Sequence, residues 1–274
     1  MTIQEFIARA TAELQQAGID SARLDALILL EDALGRDRAQ ILAHPEVEID
    51  HLTEVKLNTK IVQRTLHTPL AYIRGKAEFY GREFVINTHV LVPRPETESM
   101  ISLLKRLVGH QQQATIFDIG TGSGAIAITA KMELPQMDVI ATDIDQNALK
   151  LSRQNAHAIG ASIEFLQGDL LRPLVDGNHV LPTIVLTNLP YVPDSYPINK
   201  AAEHEPKLAL FAGSDGLDLY RNLFQQVNEL QSRPAYVFTE SLVEQHNQLE
   251  SLARSAGYEL AASEGLIQAF RKHS

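Results

Sequence analysis

The sequence predicts an α/β fold, a mainly parallel sheet with helices on both faces, preceded by a small helical bundle and a β-hairpin. Three observations predict it. Over the first seventy residues, apolar side chains recur at helical spacing. Beyond residue 113, short apolar runs of strand length alternate with helical patterns. A glycine-rich turn, Gly120-Thr121-Gly122-Ser123-Gly124, sits between the first of those strands and the helix after it.

In the helical segment, Thr2 and Glu5 form a capping-box pattern ahead of Ile3, Phe6, Ile7, Ala10 and Leu14, and Gly18 closes the helix. A second helix begins near Ser21, turns Leu24, Leu27, Ile28 and Leu34 inward, and stops at Gly35. A third spans about residues 52–66 with Leu52, Val55, Ile61, Val62 and Leu66 as its apolar face, ended by Pro69. Phe79, Phe84, Val85 and Ile86 then flank Tyr80-Gly81-Arg82-Glu83, which predicts the hairpin. Pro93-Arg94-Pro95 breaks the chain, and Glu96-Thr97-Glu98 opens a helix carrying Ile101, Leu104 and Val108. Strands are expected at 115–119, 139–142, 163–166, 184–187 and 236–239. The expected division is a helical domain over 1–76, a hairpin linker over 77–94 and an α/β domain over 95–274.

Composition excludes several functions. Cys 0 leaves no disulfide framework, no thiolate zinc site and no cysteine nucleophile, and the 10 His contain no His-Glu-x-x-His pair, so no metal centre is expected. A formal net charge of -10 argues against a partner held mainly through its phosphates, so no direct nucleic-acid contact is expected. No run approaches the ~18 apolar residues of a membrane span, and the first ten residues, with Glu5 among them, match neither a signal nor a transit peptide. A cytoplasmic, soluble protein is the expectation.

The glycine turn is built for a ligand, because glycine lets backbone approach a bound group with no Cβ in the way. By itself it does not choose the ligand. Gly120-x-Gly122-x-x-Ala125 also satisfies the dinucleotide fingerprint, and Asp143, at the end of the next strand, would accept hydrogen bonds from ribose hydroxyls of NAD or of S-adenosylmethionine. Asp118 tips the balance: a carboxylate just before the first glycine would repel a pyrophosphate and suit a cationic sulfonium or ammonium group. After the fourth strand comes Asn188-Leu189-Pro190-Tyr191, at the sheet end where ligands bind in such folds. The side-chain oxygen of Asn188 and the carbonyl of Leu189 can accept both hydrogens of an NH2 group, with Tyr191 lying against a planar substrate.

Motifs of this type belong to methyltransferases acting on planar NH2 groups, and the chain resembles the HemK/PrmC protein-glutamine methyltransferases. The resemblance runs through Pro69-Leu70-Ala71-Tyr72-Ile73-Arg74-Gly75, Val90-Leu91-Val92-Pro93-Arg94-Pro95-Glu96-Thr97-Glu98, Glu205-Pro206-Lys207-Leu208-Ala209-Leu210 and Gly213-Ser214-Asp215-Gly216-Leu217. It implies a class I methyltransferase domain using S-adenosylmethionine. It also implies an N-terminal domain that recognises the protein substrate, a peptide-chain release factor methylated at the glutamine of its Gly-Gly-Gln motif. Carried over by position, Gly120, Thr121, Gly122, Ser123, Gly124, Asp143, Leu170 and Asn188 bind the cofactor. Asn188, Leu189, Pro190 and Tyr191 hold the glutamine, with Asn188, Pro190 and Tyr191 catalytic. The chain departs from the family's usual residues at Leu189, where proline is common, and at Leu170, where an aromatic residue often lies near the adenine. Thr239-Glu240-Ser241 lacks a glycine common there. An adenine-N6 methyltransferase is the nearer alternative and an NAD-dependent oxidoreductase the more distant one; the latter leaves Asn188 and Tyr191 unused.

Overall fold

The computed structural model describes residues 1–109, 113–175 and 181–273. The chain divides into two compact units, Met1–Lys76 with Ile198–His204, and Ala77–Pro197 with Glu205–Ser274. Residues 77–94 thus fold with the second unit.

The first unit is helical. Helix α1 (Ile3–Gln16) starts on a capping box, with the Glu5 amide donating to Thr2 Oγ1 at 3.3 Å and the Thr2 amide to Glu5 Oε2 at 2.8 Å. It buries Ile3, Phe6, Ile7, Ala10 and Leu14, the residues its periodicity selects. Helix α2 (Ala22–Leu34) ends at Gly35, whose φ of 62° only glycine adopts freely. Apolar residues surround α2, so its sequence does not single out one face. It buries Ala22, Ala26, Leu27, Leu29 and Leu30, while the expected Leu24 is exposed. Helix α3 (Arg38–Ala43), capped by Asp37, carries too short an apolar pattern to be anticipated.

Helix α4 (His51–Thr65) is turned away from the expected face at every residue but Ile61. It buries Leu57 and Ile61 and leaves Leu52, Val55, Val62 and Leu66 exposed. The largely buried pair of Arg64 Nε with Asp25 Oδ2 at 2.6 Å lies on the docked side, and turning the helix away would leave the Asp25 charge buried without its partner. Helix α5 (Leu70–Arg74) closes the unit's main segment.

Strand β1 (Lys76–Phe79) begins on the last residue of the first unit's main segment, and with β2 (Arg82–Val85) it leads into the second unit. Tyr80 and Gly81 between them both have positive φ, 50° and 71°, the mirror-image turn whose twist matches paired strands. After a 3₁₀ turn at Pro95–Thr97 come α6 (Glu98–Val108), β3 (Thr115–Ile119), α7 (Ala125–Glu133), β4 (Asp138–Asp143), α8 (Gln146–Ile159) and β5 (Glu164–Gln167). Then follow α9 (Arg172–Val175), β6 (Ile184–Thr187), α10 (Asp218–Glu229), β7 (Tyr236–Glu240), α11 (His246–Ser255), β8 (Tyr258–Glu264) and β9 (Ile267–Lys272).

The seven-stranded sheet has the order β5-β4-β3-β6-β7-β9-β8. The five strands expected from sequence are its parallel part, and β9 joins antiparallel between β7 and β8. The β8–β9 hairpin has no clear sequence signature. Strand β8 is largely exposed and carries an irregularity between Leu260 and Ala262, which disturbs its alternation. The chain runs from β3 outward through β4 and β5, then returns to pair β6 on the other side of β3. That reversal opens a crevice at the carboxyl ends of β3 and β6, the standard ligand position of such sheets. Ile119 is level with both Thr142 and Thr187, so the loops after β3, β4 and β6 emerge side by side. Among the described residues, no helix is long and apolar enough to cross a membrane.

Candidate active site

The glycine turn folds inward onto the strand ends. The amides of Gly120 and Thr121 both donate to the Thr142 carbonyl at 2.9 Å, and the Gly122 amide donates to Asp143 Oδ2 at 2.9 Å. Asp143 Oδ1 accepts from the Asp145 amide at 2.9 Å. Asp143 is thus locked in place by two backbone donors at the cavity wall, and burial pushes its carboxyl above the usual range. Gly124 stands behind the turn and outside the cavity wall. A Cβ there would come within 2.8 Å of Ile128 Cδ1 and 3.1 Å of Ser152 Cβ, so its role is close packing of the turn against α7 and α8. Asn155, fully buried on α8, joins the turn to the hairpin. Its Nδ2 donates to the carbonyls of Ser123 (2.8 Å) and Val85 (3.0 Å), and its Oδ1 accepts from the Val85 amide (2.8 Å).

Asp118 departs from expectation. It is fully buried, lies outside the cavity wall and cannot face a cofactor's cationic end there. Its Oδ2 accepts from Thr121 Oγ1 at 2.6 Å and from the Ala127 amide at 3.1 Å, so the carboxylate occupies the amino-terminal turn of α7. This still discriminates between ligands. The helix amino terminus where a dinucleotide's pyrophosphate would sit is filled by the chain's own Asp118 carboxyl group, and three amides of the turn are already committed.

Burial pushes the Asp118 carboxyl up to about 7, against the opposing pull of its Thr121 and Ala127 hydrogen bonds. Between about pH 4 and pH 7 the folded chain therefore holds a proton that the unfolded chain releases, and stability falls as pH rises through that window. Asp118→Asn should flatten this fall, measured by urea denaturation at a series of pH values. An unchanged slope would show that Asp118 ionises normally in the folded chain.

A cavity of about 300 Å³ opens in front of the turn. Gly120, Thr121, Gly122 and Ser123 line it, together with Asp143, Leu170, Asn188, Leu189 and Pro190; Ile144, exposed beside Asp143, adds an apolar wall. Leu170 holds a positive φ of 53°, uncommon for leucine, while its carbonyl accepts from Thr142 Oγ1 at 3.1 Å. Leu189 is buried, and a Cβ on Gly120 would lie 3.2 Å from its Cδ2, so the side chain standing in for proline packs against the glycine turn.

Tyr191 lies outside the cavity wall. Its ring packs against the core beneath α10, and its hydroxyl donates to Glu240 Oε1 at 3.1 Å. Glu240, at the end of β7, was not among the expected site residues. Its one sequence signal is an acidic residue closing an otherwise apolar strand at the sheet's ligand end. Fully buried, it accepts from Thr97 Oγ1 at Oε2 (2.6 Å), and Tyr220 donates its hydroxyl to the Glu240 carbonyl. Burial raises its carboxyl above the usual range despite these donors. Thr97 Oγ1 in turn accepts from Asn188 Nδ2 at 3.1 Å.

The later sequence signature supports this loop from outside. Gln245 Nε2 donates to the carbonyls of Tyr191 and Asp215, both at 2.8 Å. Gly216 makes that approach possible: a Cβ there would stand 2.1 Å from the Tyr191 oxygen, at a φ of +75°. Gly216→Ala should therefore lower stability by at least about 2 kcal/mol, combining left-handed strain with a backbone clash, as read from the urea midpoint. A midpoint equal to that of the unaltered chain would contradict this contact. Arg94, at the cavity wall, pairs with the buried Glu205 at 2.6 Å and fastens the segment carrying Pro206 and Leu208 to the cavity rim.

Two family profiles match the chain, the PrmC N-terminal domain over residues 5–75 and the methyltransferase small domain over residues 97–203. The release factor glutamine methyltransferase of Deinococcus radiodurans is 36% identical over 225 residues, covering 81% of this chain and 80% of the relative. That of Bacillus anthracis is 35% identical over 264 residues, covering 93% and 92%. The chain belongs to the release factor glutamine methyltransferase family. It is an S-adenosylmethionine-dependent glutamine methyltransferase, with a class I methyltransferase fold. Solved structures agree on that fold. The hMettl16 catalytic domain, in complex with a MAT2A 3′UTR hairpin, superposes with a TM-score of 0.57 at 14% identity, covering 84% of this chain and 85% of that one. A methyltransferase from Pyrococcus furiosus gives 0.50 at 14% identity, covering 79% and 98%.

The cavity fits the cofactor. It offers a carboxylate for ribose hydroxyls at Asp143, apolar walls for a planar ring at Ile144 and Leu170, and a glycine turn whose amides point away from any pyrophosphate.

Proposed function

We propose that the chain methylates the side-chain amide nitrogen of the glutamine in the Gly-Gly-Gln motif of a peptide-chain release factor, in the cytoplasm. The observation that carries this reading at the site is the state of Asn188. Its NH2 group is engaged by Thr97, and its Oδ1 has no hydrogen-bond partner among the described residues of a cavity it lines. The site therefore presents an acceptor to a planar NH2 group.

S-adenosylmethionine, when bound, supplies a methyl group made electrophilic by its sulfonium sulfur. Gly120 to Ser123, Asp143 and Leu170 would hold it. An amide nitrogen is a poor nucleophile because its lone pair is delocalised into the carbonyl. Asn188 Oδ1 accepts one amide hydrogen and the carbonyl of Leu189 accepts the other, which fixes the amide plane and favours positive charge developing on nitrogen. Pro190 stiffens the turn that presents both acceptors. Tyr191 acts from behind, holding the loop through Glu240 and Gln245 rather than stacking on the substrate. Prior positioning of nitrogen and methyl carbon supplies much of the remaining acceleration. No strong base is required, because the methylated nitrogen loses its proton readily.

Adenine also carries a flat NH2 group, but a chain of net charge -10 is poorly suited to hold a polynucleotide through its phosphates. The test supplies labelled S-adenosylmethionine with either a folded Gly-Gly-Gln release-factor domain or an adenine-containing RNA. Label is expected in the protein alone; label in the RNA alone would replace the reading with the adenine one.

A further inference from the structure

We propose that Glu240 and Thr97 are positioning residues that set the polarity of the Asn188 amide, so that its oxygen and not its NH2 faces the substrate. This role rests on the glutamine reading above and belongs to two residues that act through Asn188.

An asparagine side chain is nearly symmetric in shape, and turning it over exchanges an acceptor for two donors. At this site the difference is decisive. An NH2 group facing the cavity would oppose a substrate NH2 group, donor against donor, and could not bind it. Something must therefore hold the amide one way round.

The chain of hydrogen bonds does so by elimination. An ionised carboxylate accepts and never donates. Glu240 Oε2 lies 2.6 Å from Thr97 Oγ1, so the single hydroxyl hydrogen of Thr97 is committed to Glu240. Thr97 Oγ1 is left with only lone pairs to offer at 3.1 Å from Asn188, and only the Nδ2 side of the amide can answer them. The carboxylate is itself held by two hydroxyls, Tyr191 donating to Oε1 at 3.1 Å and Thr97 to Oε2, while Tyr220 pins the main-chain carbonyl of Glu240 and the side chain is buried from water that could donate in their place. Both partners come from elements remote from residue 188 in sequence, Thr97 from the turn before α6 and Glu240 from the end of β7. A buried carboxylate at the edge of a reaction cavity is costly to keep, and here it has a task no neutral acceptor of that shape performs as firmly.

The test uses the full chain with a Gly-Gly-Gln release-factor domain and labelled S-adenosylmethionine. Glu240→Gln keeps the volume but offers an NH2 group, which can donate to Thr97, free its hydroxyl to turn toward Asn188 and invert the relay. Thr97→Val keeps the shape and removes the relay atom, and Thr97→Ser restores it. Glu240→Gln and Thr97→Val should each lower kcat at least about tenfold. Their cofactor Kd should stay within about twofold of the unaltered chain, and Thr97→Ser should recover most of the activity. Adding Thr97→Val to Asn188→Ala should cost almost nothing further, because a residue acting through Asn188 has nothing left to orient. Any of three results overturns the proposal: full activity in Thr97→Val, failure of Thr97→Ser to recover it, or additive losses in the double variant. If the unaltered chain labels no glutamine, the underlying reading of the substrate has failed; if it does and these variants match it, the relay alone has.

Discussion

Asn188→Ala is expected to lower kcat by about 10²–10³, the usual loss when a positioned transition-state hydrogen-bonding group is removed. Alanine deletes the one side-chain acceptor that faces the cavity from this loop, while the Leu189 carbonyl, the glycine turn and Asp143 remain. Cofactor affinity should therefore change far less than the rate. Single-turnover methyl transfer measures the first and calorimetry with S-adenosylmethionine the second. The loss should appear in kcat more than in KM, since the acceptor gains most as charge develops on nitrogen. An Asn188→Ala enzyme working at the normal rate would remove the side chain from the reaction.

Asp143→Ala acts at the other end of the cavity and should weaken S-adenosylmethionine binding by about 1.5–3 kcal/mol, the cost of losing hydrogen bonds to a charged acceptor. The structure adds a reason for the upper part of that range. Asp143 accepts from the amides of Gly122 and Asp145, so removing it strips two backbone donors of their partner and loosens the turn as well as losing the ribose contact. Calorimetry reads the affinity directly. An unchanged Kd would take Asp143 out of the cofactor site.

Sequence made the glycine turn, Asp143 and the Asn188 loop legible because each depends on local rules: a strand, a turn that needs glycine, and a helix or second strand end in fixed order. The capped helix α1 was legible for the same reason, since Thr2 and Glu5 carry its start and its apolar spacing has one clear stripe. Where a helix offers two stripes, local pattern fails. Helix α4 buries Leu57 and Ile61 beside the Arg64–Asp25 pair, a partner distant in sequence that no periodicity can announce. The same limit hid Glu240. Its meaning comes from Thr97 and Tyr191, brought to it by the pairing of β6 with β7 and by the turn before α6. Asp118 was visible as a carboxylate beside the turn, but whether it faced the ligand or the start of α7 depended on backbone geometry. Tyr191 is a parallel case: an aromatic residue next to a substrate loop reads as a stacking platform, and its hydroxyl proves to be a tether.

Whether a glutamine side chain is the acceptor is measured most directly by fragment mass spectrometry of an intact release factor after incubation with the chain and S-adenosylmethionine. The expected result is the mass of one added CH2, localised to the glutamine of Gly-Gly-Gln and absent when Asn188→Ala replaces the unaltered chain. A release factor returned without a mass shift, while adenine in RNA is methylated by the same preparation, would contradict it.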